Sequence, residues 1–180
     1  TLTMLTIDRK PYLIFNLNAS FYGIEANWVQ EIFSLPELTP IAEAPPDIIG
    51  VVNLRGDILP VMDLNLRFGY HQSTYSLTDS VIVLQWQKYR VGMIVNQVLE
   101  VQNILLEDIT QELFYGKEIS ANAQNFVAGV AKLGQDIVML LNEENILSYS
   151  RSLTGEYRTK YPLEITENPS FSPASSGRQI

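Results

Sequence analysis

The chain has 180 residues, of which 46% are hydrophobic and 18% are charged. A sequence of this length and composition can bury a sizeable core, so it predicts a globular protein. With 12 basic and 20 acidic residues, the formal net charge is -8, which argues against nucleic acid or anionic lipid as a partner. The absence of cysteine excludes disulfides, thiolate catalysis and thiolate metal sites.

The first residues of the chain lack the apolar segment of a signal peptide. No stretch reaches the ~18 consecutive apolar residues that would span a bilayer. We therefore expect a cytoplasmic protein that does not insert into a membrane.

Short apolar segments, alternating or β-branched, predict eight strands. In chain order they cover residues 12–17, 21–25, 48–54, 58–62, 80–87, 90–95, 126–132 and 137–141. Helical patterns are brief and fall at 63–68, within 107–116 and at 142–149. Residues 150–180 have no sustained apolar period and are rich in Ser and Pro near their end, which predicts a disordered tail. The sequence therefore predicts a mostly β domain over residues 10–149.

An internal repeat divides this domain into two copies, at roughly 12–68 and 79–149. At an offset of 69, the sequence Gly-x3-Asn-x-Val-x-Glu-Ile beginning at Gly23 matches a similar one beginning at Gly92. At an offset of 79, Gly50, Leu54 and Asp57 match Gly129, Leu133 and Asp136. Two copies with about five strands each predict two small pseudo-symmetric barrels with a groove along their seam. Exchange of strands between the copies stays open.

Residues that could carry out catalysis are few. The chain has one histidine, His71, and a hydrolase would pair it with a loop serine such as Ser73. This hydrolase is the alternative hypothesis. No metal-ligand spacing and no phosphate-binding loop occurs in the sequence, so we expect neither a metal nor a cofactor. Asp57 is interpreted as a hairpin-turn residue and Asp63 as a helix cap.

The segment Asn53-Leu54-Arg55-Gly56-Asp57 lies between two predicted strands and is typical of a hairpin tip, with Gly56 at positive φ. The second copy has Gly134-Gln135 at the matching positions, so the turn itself does not require Arg55. That arginine is either a solvated turn residue or an interface anchor. Structural turns are predicted at five glycines: Gly23, Gly50, Gly56, Gly92 and Gly129.

Several of these segments resemble the CheW-like adaptor family of bacterial chemotaxis. The likeness runs in order from Tyr12 to about Leu147. Its strongest part is the Asn-Leu-Arg-Gly hairpin followed by Pro-Val-x-Asp-Leu. The segments that carry it are Tyr22-Gly23-Ile24-Glu25, Val29-Gln30-Glu31-Ile32, Gly50-Val51-Val52-Asn53-Leu54-Arg55-Gly56, Leu59-Pro60-Val61-Met62-Asp63-Leu64 and Val91-Gly92-Met93-Ile94-Val95.

The resemblance implies two five-stranded SH3-like β-barrels and a scaffold without enzymatic activity. Such a scaffold couples the cytoplasmic helical hairpin of a chemoreceptor or photoreceptor to the regulatory domain of a CheA-like histidine kinase. It works in a two-component array for chemotaxis or phototaxis, in the cytoplasm beside membrane-bound receptors. Carried over position by position, the receptor-binding residues are Val29, Glu31, Ile32, Arg55 and Val101. The kinase would contact strand and loop surfaces near the barrel ends.

Overall fold

A computed structural model describes residues 8–70, 74–111 and 126–147. These residues form eleven strands: β1 (Arg9–Leu17), β2 (Ser20–Glu25), β3 (Val29–Ser34), β4 (Ile48–Leu54), β5 (Asp57–Asp63), β6 (Ser80–Trp86), β7 (Tyr89–Val95), β8 (Gln97–Leu105), β9 (Ile109–Thr110), β10 (Val127–Leu133) and β11 (Asp136–Leu141). The helices among them are short: α1 (Leu64–Arg67), α2 (residues 143–147) and 3-10 turns at Ala26–Trp28 and Leu106–Asp108. The prediction of a mostly β fold with a few short helices is confirmed. The predicted tail and residues 112–116 of the predicted helical segment lie outside the described residues, and the described part of that segment holds the end of a 3-10 turn and β9.

The strands form two sheets. One has six strands in the order β8-β1-β2-β11-β10-β9, and the other has five in the order β3-β6-β7-β5-β4. Each sheet contains one parallel pair, β2 with β11 and β5 with β7, and its remaining pairs are antiparallel. Strands β3 and β8 therefore occupy equivalent edges of the two sheets.

The sequence repeat can be followed through this topology. Strands β1 to β5 of the first copy match β6, β7, β8, β10 and β11 of the second, and the bridge between Thr39 and Val51 matches the pairing of β9 with β10. The five-stranded sheet combines β3, β4 and β5 with the first hairpin of the second copy. The six-stranded sheet combines the first hairpin of the first copy with β8, β10 and β11. Each sheet is thus built from both copies.

The first strand of each copy contributes to two cores, because successive side chains of a strand point to opposite faces. In β1, Leu13, Phe15 and Leu17 belong to a central core that contains residues of both sheets. Tyr12 and Ile14 belong to a separate core within the six-stranded sheet. Strand β6 likewise contributes side chains of one face to the central core and side chains of the other face to the core of the five-stranded sheet. Burial of both faces explains the continuous apolar runs of these strands.

Four glycines that the sequence assigned to turns lie inside strands, so that assignment is wrong for Gly23, Gly50, Gly92 and Gly129. What these positions require is small size. A β-carbon at Gly50 would lie 2.9 Å from the carbonyl oxygen of Thr39, and the other three positions are similarly crowded. The turn at Gly56 is confirmed, since its φ is 89°.

The helix-cap interpretation of Asp63 is also confirmed. Its Oδ1 accepts hydrogen bonds from the backbone N–H groups of Asn65 at 2.8 Å and Leu66 at 3.4 Å. Its Oδ2 accepts a hydrogen bond from the Tyr75 hydroxyl. The buried carboxylate thus satisfies free donors at the start of α1 and fixes that helix to the loop before β6.

Candidate functional site

Arg55 stands at the tip of the β4–β5 hairpin, and its own backbone is left-handed. The φ angles of Arg55 and Gly56 are 54° and 89°, the pattern of a two-residue type I′ turn. The Oδ1 atom of Asn53 accepts a hydrogen bond from Gly56 N at 2.8 Å, which ties the turn together. The hairpin therefore presents the Arg55 side chain from a rigid support.

The guanidinium of Arg55 reaches across to Glu31 on β3. Arg55 Nη1 lies 2.7 Å from Glu31 Oε2, and Arg55 Nη2 lies 3.1 Å from Glu31 Oε1. This is the bidentate geometry that arginine and carboxylate favour. The Arg55 side chain is nevertheless 70% exposed, so a partner can reach it without displacing core residues.

The electrostatics of Glu31 follow from this contact. The hydrogen bond from Arg55 holds the pKa of Glu31 below its ordinary value, with the charges of Arg55 and Arg90 acting in the same direction. Arg90 in turn donates to Asp57 Oδ2 at 2.9 Å. Two arginines and two carboxylates thus cover this end of the five-stranded sheet, a cluster that the sequence did not predict.

Val29 and Ile32, two of the apolar residues implied by the resemblance, lie on the opposite face of β3 from Glu31. A bulge shifts the pairing of β3 with β6 between Val29 and Glu31. Val29 and Ile32 pair with residues of the central core, whereas Glu31 pairs with Val83 of the five-stranded sheet's own core. Because directly opposed residues project to the same face of a sheet, Val29 and Ile32 share the central-core face and Glu31 points the other way.

Strand β8 repeats this arrangement. Val98 and Val101 pair with Phe15 and Leu13, both central-core residues, and a bulge lies between these pairs. Val29 and Val98 are partly buried against the central core. Ile32 is 42% exposed and Val101 55% exposed. These four aliphatic side chains, two from each edge strand, are called the seam residues below: Val29, Ile32, Val98 and Val101.

The structure therefore separates the five predicted receptor-binding residues into two groups. Glu31 and Arg55 form the ion pair, while Val29 and Ile32 lie on the seam face of β3. Val101 is on the equivalent face of β8 in the other sheet. The resemblance did not supply Val98, although its match to Val29 in the repeat identifies it.

An aromatic pair adjoins the seam residues. The rings of Trp28 and Trp86 lie 4.9 Å apart between centroids, with a tilt of 32°. Trp28 packs against the central core and immediately precedes Val29, whereas Trp86 is 52% exposed at the end of β6. Trp28 itself is partly buried. The structure gives it contacts with both the core and an exposed ring.

The residues of the hydrolase hypothesis, His71 and Ser73, lie outside the described residues. Within the described ranges, no group of three or more metal-binding side chains is found. No helix in that part of the chain is long and apolar enough to cross a membrane.

Comparison with known proteins gives consistent matches along the domain. A family model described as the CheW-like domain matches residues 11–151. The chemotaxis protein CheW of Klebsiella aerogenes is 34% identical over 139 residues, which cover 77% of this chain and 82% of the relative. CheW of Treponema pallidum is 25% identical over 150 residues, covering 81% of this chain and 86% of the relative.

Solved structures give the same result. The crystal structure of the scaffolding protein TtCheW from Thermoanaerobacter tengcongensis superposes with a TM-score of 0.66 and 30% sequence identity. The match covers 75% of this chain and 90% of that one. That solved neighbour is a scaffolding protein. The chain belongs to the CheW-like family, and that assignment gives the hydrolase hypothesis no support.

Proposed function

We propose that this protein is a scaffold of a chemotaxis-type signalling array that couples receptors to a CheA-like histidine kinase. Its relatives are named chemotaxis proteins, and the solved neighbour is named a scaffolding protein. The place of action is the cytoplasm beside membrane-bound receptors, and the stimulus is chemical or light.

The observation that carries the receptor part of this proposal is the equivalent placement of the seam residues on the edge strands of the two sheets. Ile32 and Val101 are aliphatic, exposed and on equivalent faces of two edge strands. A helical hairpin needs such a strip of apolar anchors, with a few polar groups to fix its orientation. The exposed guanidinium of Arg55, held by Glu31 on the other face of β3, supplies such a polar group beyond the seam face.

The kinase is proposed to bind elsewhere, through its regulatory domain, at surfaces near the ends of the sheets. The buried core of a protein–protein interface is depleted of charged residues, so we expect few charged contacts there. This arrangement leaves the seam residues available, so one scaffold molecule binds receptor and kinase at the same time.

The test is titration of the purified full chain with a receptor cytoplasmic fragment and, separately, with the kinase regulatory domain. Ile32→Asp and Val101→Asp place a charge against an apolar helix, so each should weaken receptor binding strongly and leave kinase binding intact. Leu77→Asp is the matched control, because Leu77 is almost fully exposed in the loop before β6.

Circular dichroism and urea unfolding establish that each variant is folded. If both seam variants bind the receptor fragment as the wild type does, the seam assignment is wrong. If the wild-type chain binds neither fragment, the coupling function itself is refuted.

A further inference from the structure

The six-stranded sheet has the carboxylates of the charged cluster but other residues in place of its arginines. In the five-stranded sheet, Arg55 pairs with Glu31 and Arg90 pairs with Asp57. In the repeat, the carboxylates correspond to Glu100 and Asp136, while the arginines correspond to Gly134 and Phe21. Within the described part of the chain, neither Glu100 nor Asp136 forms an ion pair.

These two carboxylates line an open groove of about 360 Å³ between β8 and the β10–β11 hairpin. Apolar side chains form much of the rest of its wall, notably Ile14, Leu99 and Leu133. No lysine or arginine is among its lining residues. At the equivalent place in the five-stranded sheet, the Arg55 side chain bridges the gap between β3 and the β4–β5 hairpin. The two sheets thus differ at this place: the chain's own arginine bridges the gap in the five-stranded sheet, and the groove is open in the six-stranded sheet.

We propose that the open groove is a binding site for an arginine presented by a partner protein. The guanidinium would take at Glu100 the position that Arg55 takes at Glu31, with Asp136 adding a second negative charge. An aliphatic residue next to that arginine would pack on Leu99 and Leu133. The chain's own hairpin has the same sequence of residue types, because Leu54 directly precedes Arg55. Charge complementarity supports this occupant, because a groove with two unpaired carboxylates favours a cation and its apolar wall favours a weakly hydrated one.

This site is separate from the seam residues. Glu100 lies between Val98 and Val101 on β8, and the bulge in the pairing of β8 with β1 gives it the orientation of Glu31, away from the central core. A partner can therefore occupy the groove while a receptor helix occupies the seam. The inference goes beyond the proposed coupling function and does not require it.

The chain itself provides a way to close the groove. Gly134 has a φ of 60°, close to the 54° of Arg55, and a β-carbon at Gly134 would have no atom within 4 Å. An arginine at this position has a backbone conformation that the first copy already tolerates. Gly134→Arg should therefore pair with Glu100 and fill the groove from within, whereas Gly134→Gln adds a side chain without the charge.

The probe is a cyclised hairpin peptide with the sequence of residues 51–60, which presents Leu54 and Arg55 at its tip. Binding to the full chain is measured by calorimetry and by NMR shifts of backbone amides. We expect shifts at residues 99–102 and 133–138. Glu100→Gln should weaken binding about tenfold, the loss expected for a hydrogen-bonded charged pair. Glu31→Gln is the matched control in the first copy and should leave binding unchanged.

Three further outcomes decide the proposal. Gly134→Arg should abolish binding of the peptide, whereas Gly134→Gln should retain it. A peptide with glutamate in place of arginine should not bind. The proposal is overturned if that peptide binds equally well, if Glu100→Gln has no effect, or if the wild-type chain shows no shifts in the groove. Ile32→Asp should leave peptide binding unchanged, so failure of this site is distinguishable from failure of the receptor site.

Discussion

Glu31 and Arg55 lie 24 residues apart in the chain, yet two hydrogen bonds of 2.7 and 3.1 Å hold them together. The contact joins β3, an edge strand, to the hairpin at the opposite edge of the sheet order. Because the arginine is exposed, water and salt screen the pair and its effect on stability is small. The contact therefore acts chiefly by fixing where the guanidinium and the carboxylate stand.

Replacement of Arg55 should affect recognition more than folding. We expect Arg55→Gln to leave the free energy of unfolding nearly unchanged and to weaken binding of the receptor fragment measurably by calorimetry. The pKa of Glu31, followed by NMR titration, should rise toward its ordinary value, since the hydrogen bond from Arg55 is what lowers it.

A charge exchange separates two explanations of that loss. In the double variant Glu31→Arg with Arg55→Glu, recovered affinity would mean that the pair acts by bracing β3 against the hairpin. Continued loss would mean that the guanidinium itself contacts the receptor. Unchanged affinity in Arg55→Gln would contradict the placement of Arg55 in the receptor site.

Gly50→Ala should destabilise the fold. The new β-carbon would lie 2.9 Å from the Thr39 carbonyl oxygen and 2.9 Å from Leu38 Cβ, so the bridge between Thr39 and Val51 must shift. Overpacking of this kind costs about 1–3 kcal/mol, to be measured by urea unfolding. Gly134→Ala is the comparison, because its β-carbon has free space and only the left-handed backbone costs about 1 kcal/mol. A Gly50→Ala variant as stable as the wild type would show that crowding at Gly50 is relieved without cost.

Glu143 makes stability depend on pH. This buried carboxylate begins α2, and its Oε2 accepts a hydrogen bond from Glu25 N at 2.7 Å. Burial raises the pKa of Glu143, the Glu25 carboxylate adds to the rise, and the hydrogen bonds and Lys10 oppose it. Tyr12, a further titratable group at this place, has a pKa raised to about 12 by burial and stays neutral at physiological pH.

The sign of this dependence follows from linkage. A carboxyl whose pKa is raised by folding favours the folded state most below its ordinary pKa of 4.5, and that contribution is lost as the pH rises through the folded pKa. Glu143→Gln keeps an acceptor for Glu25 N without the charge. In urea unfolding from pH 4 upward, wild type should therefore lose stability relative to Glu143→Gln. Parallel stability curves for the two proteins would show that burial of this carboxylate carries no net cost.

The tryptophan pair should report receptor binding. Trp28 and Trp86 are the two tryptophans of the chain, and at 4.9 Å between centroids their transitions couple. Trp86→Phe should remove this coupled signal from near-UV circular dichroism and leave Trp28 as the sole reporter next to Val29. Addition of the receptor fragment should then change the Trp28 emission. An emission spectrum that stays constant at saturating receptor would place the binding surface away from β3.

Much of the fold could be predicted because most strands have buried faces. All eight predicted strands are present; seven have boundaries within one residue of the prediction, and β1 begins three residues earlier than predicted. Three strands were missed: the two-residue β9, and β3 and β8, which lie at sheet edges and alternate partly buried residues with exposed ones, many of them polar. Their bulges also interrupt the period of two on which a strand prediction depends.

The candidate site was predictable only in part. The hairpin tip at Arg55 could be recognised from its turn residues. Because the second copy has no arginine at the matching position, the arginine could also be recognised as dispensable for the turn. The contact of Arg55 with Glu31 could not be predicted, because it depends on how β3 and the hairpin are placed in three dimensions. The opposite orientations of Val29 and Glu31, which would share a face in a regular strand, likewise follow from the bulge between them, and the bulge leaves no mark in the composition of the segment.

The exchange of hairpins between the two sheets has a consequence for how the chain folds. A nascent chain that ends near Phe68 has β3, β4 and β5 but lacks β6 and β7, which join β3 to β5. Neither sheet can close until the second copy has been synthesised, so the contacts are long-range and folding is slow compared with helical proteins of this length. Unfolding should be a single cooperative transition, without an intermediate in which one half persists alone.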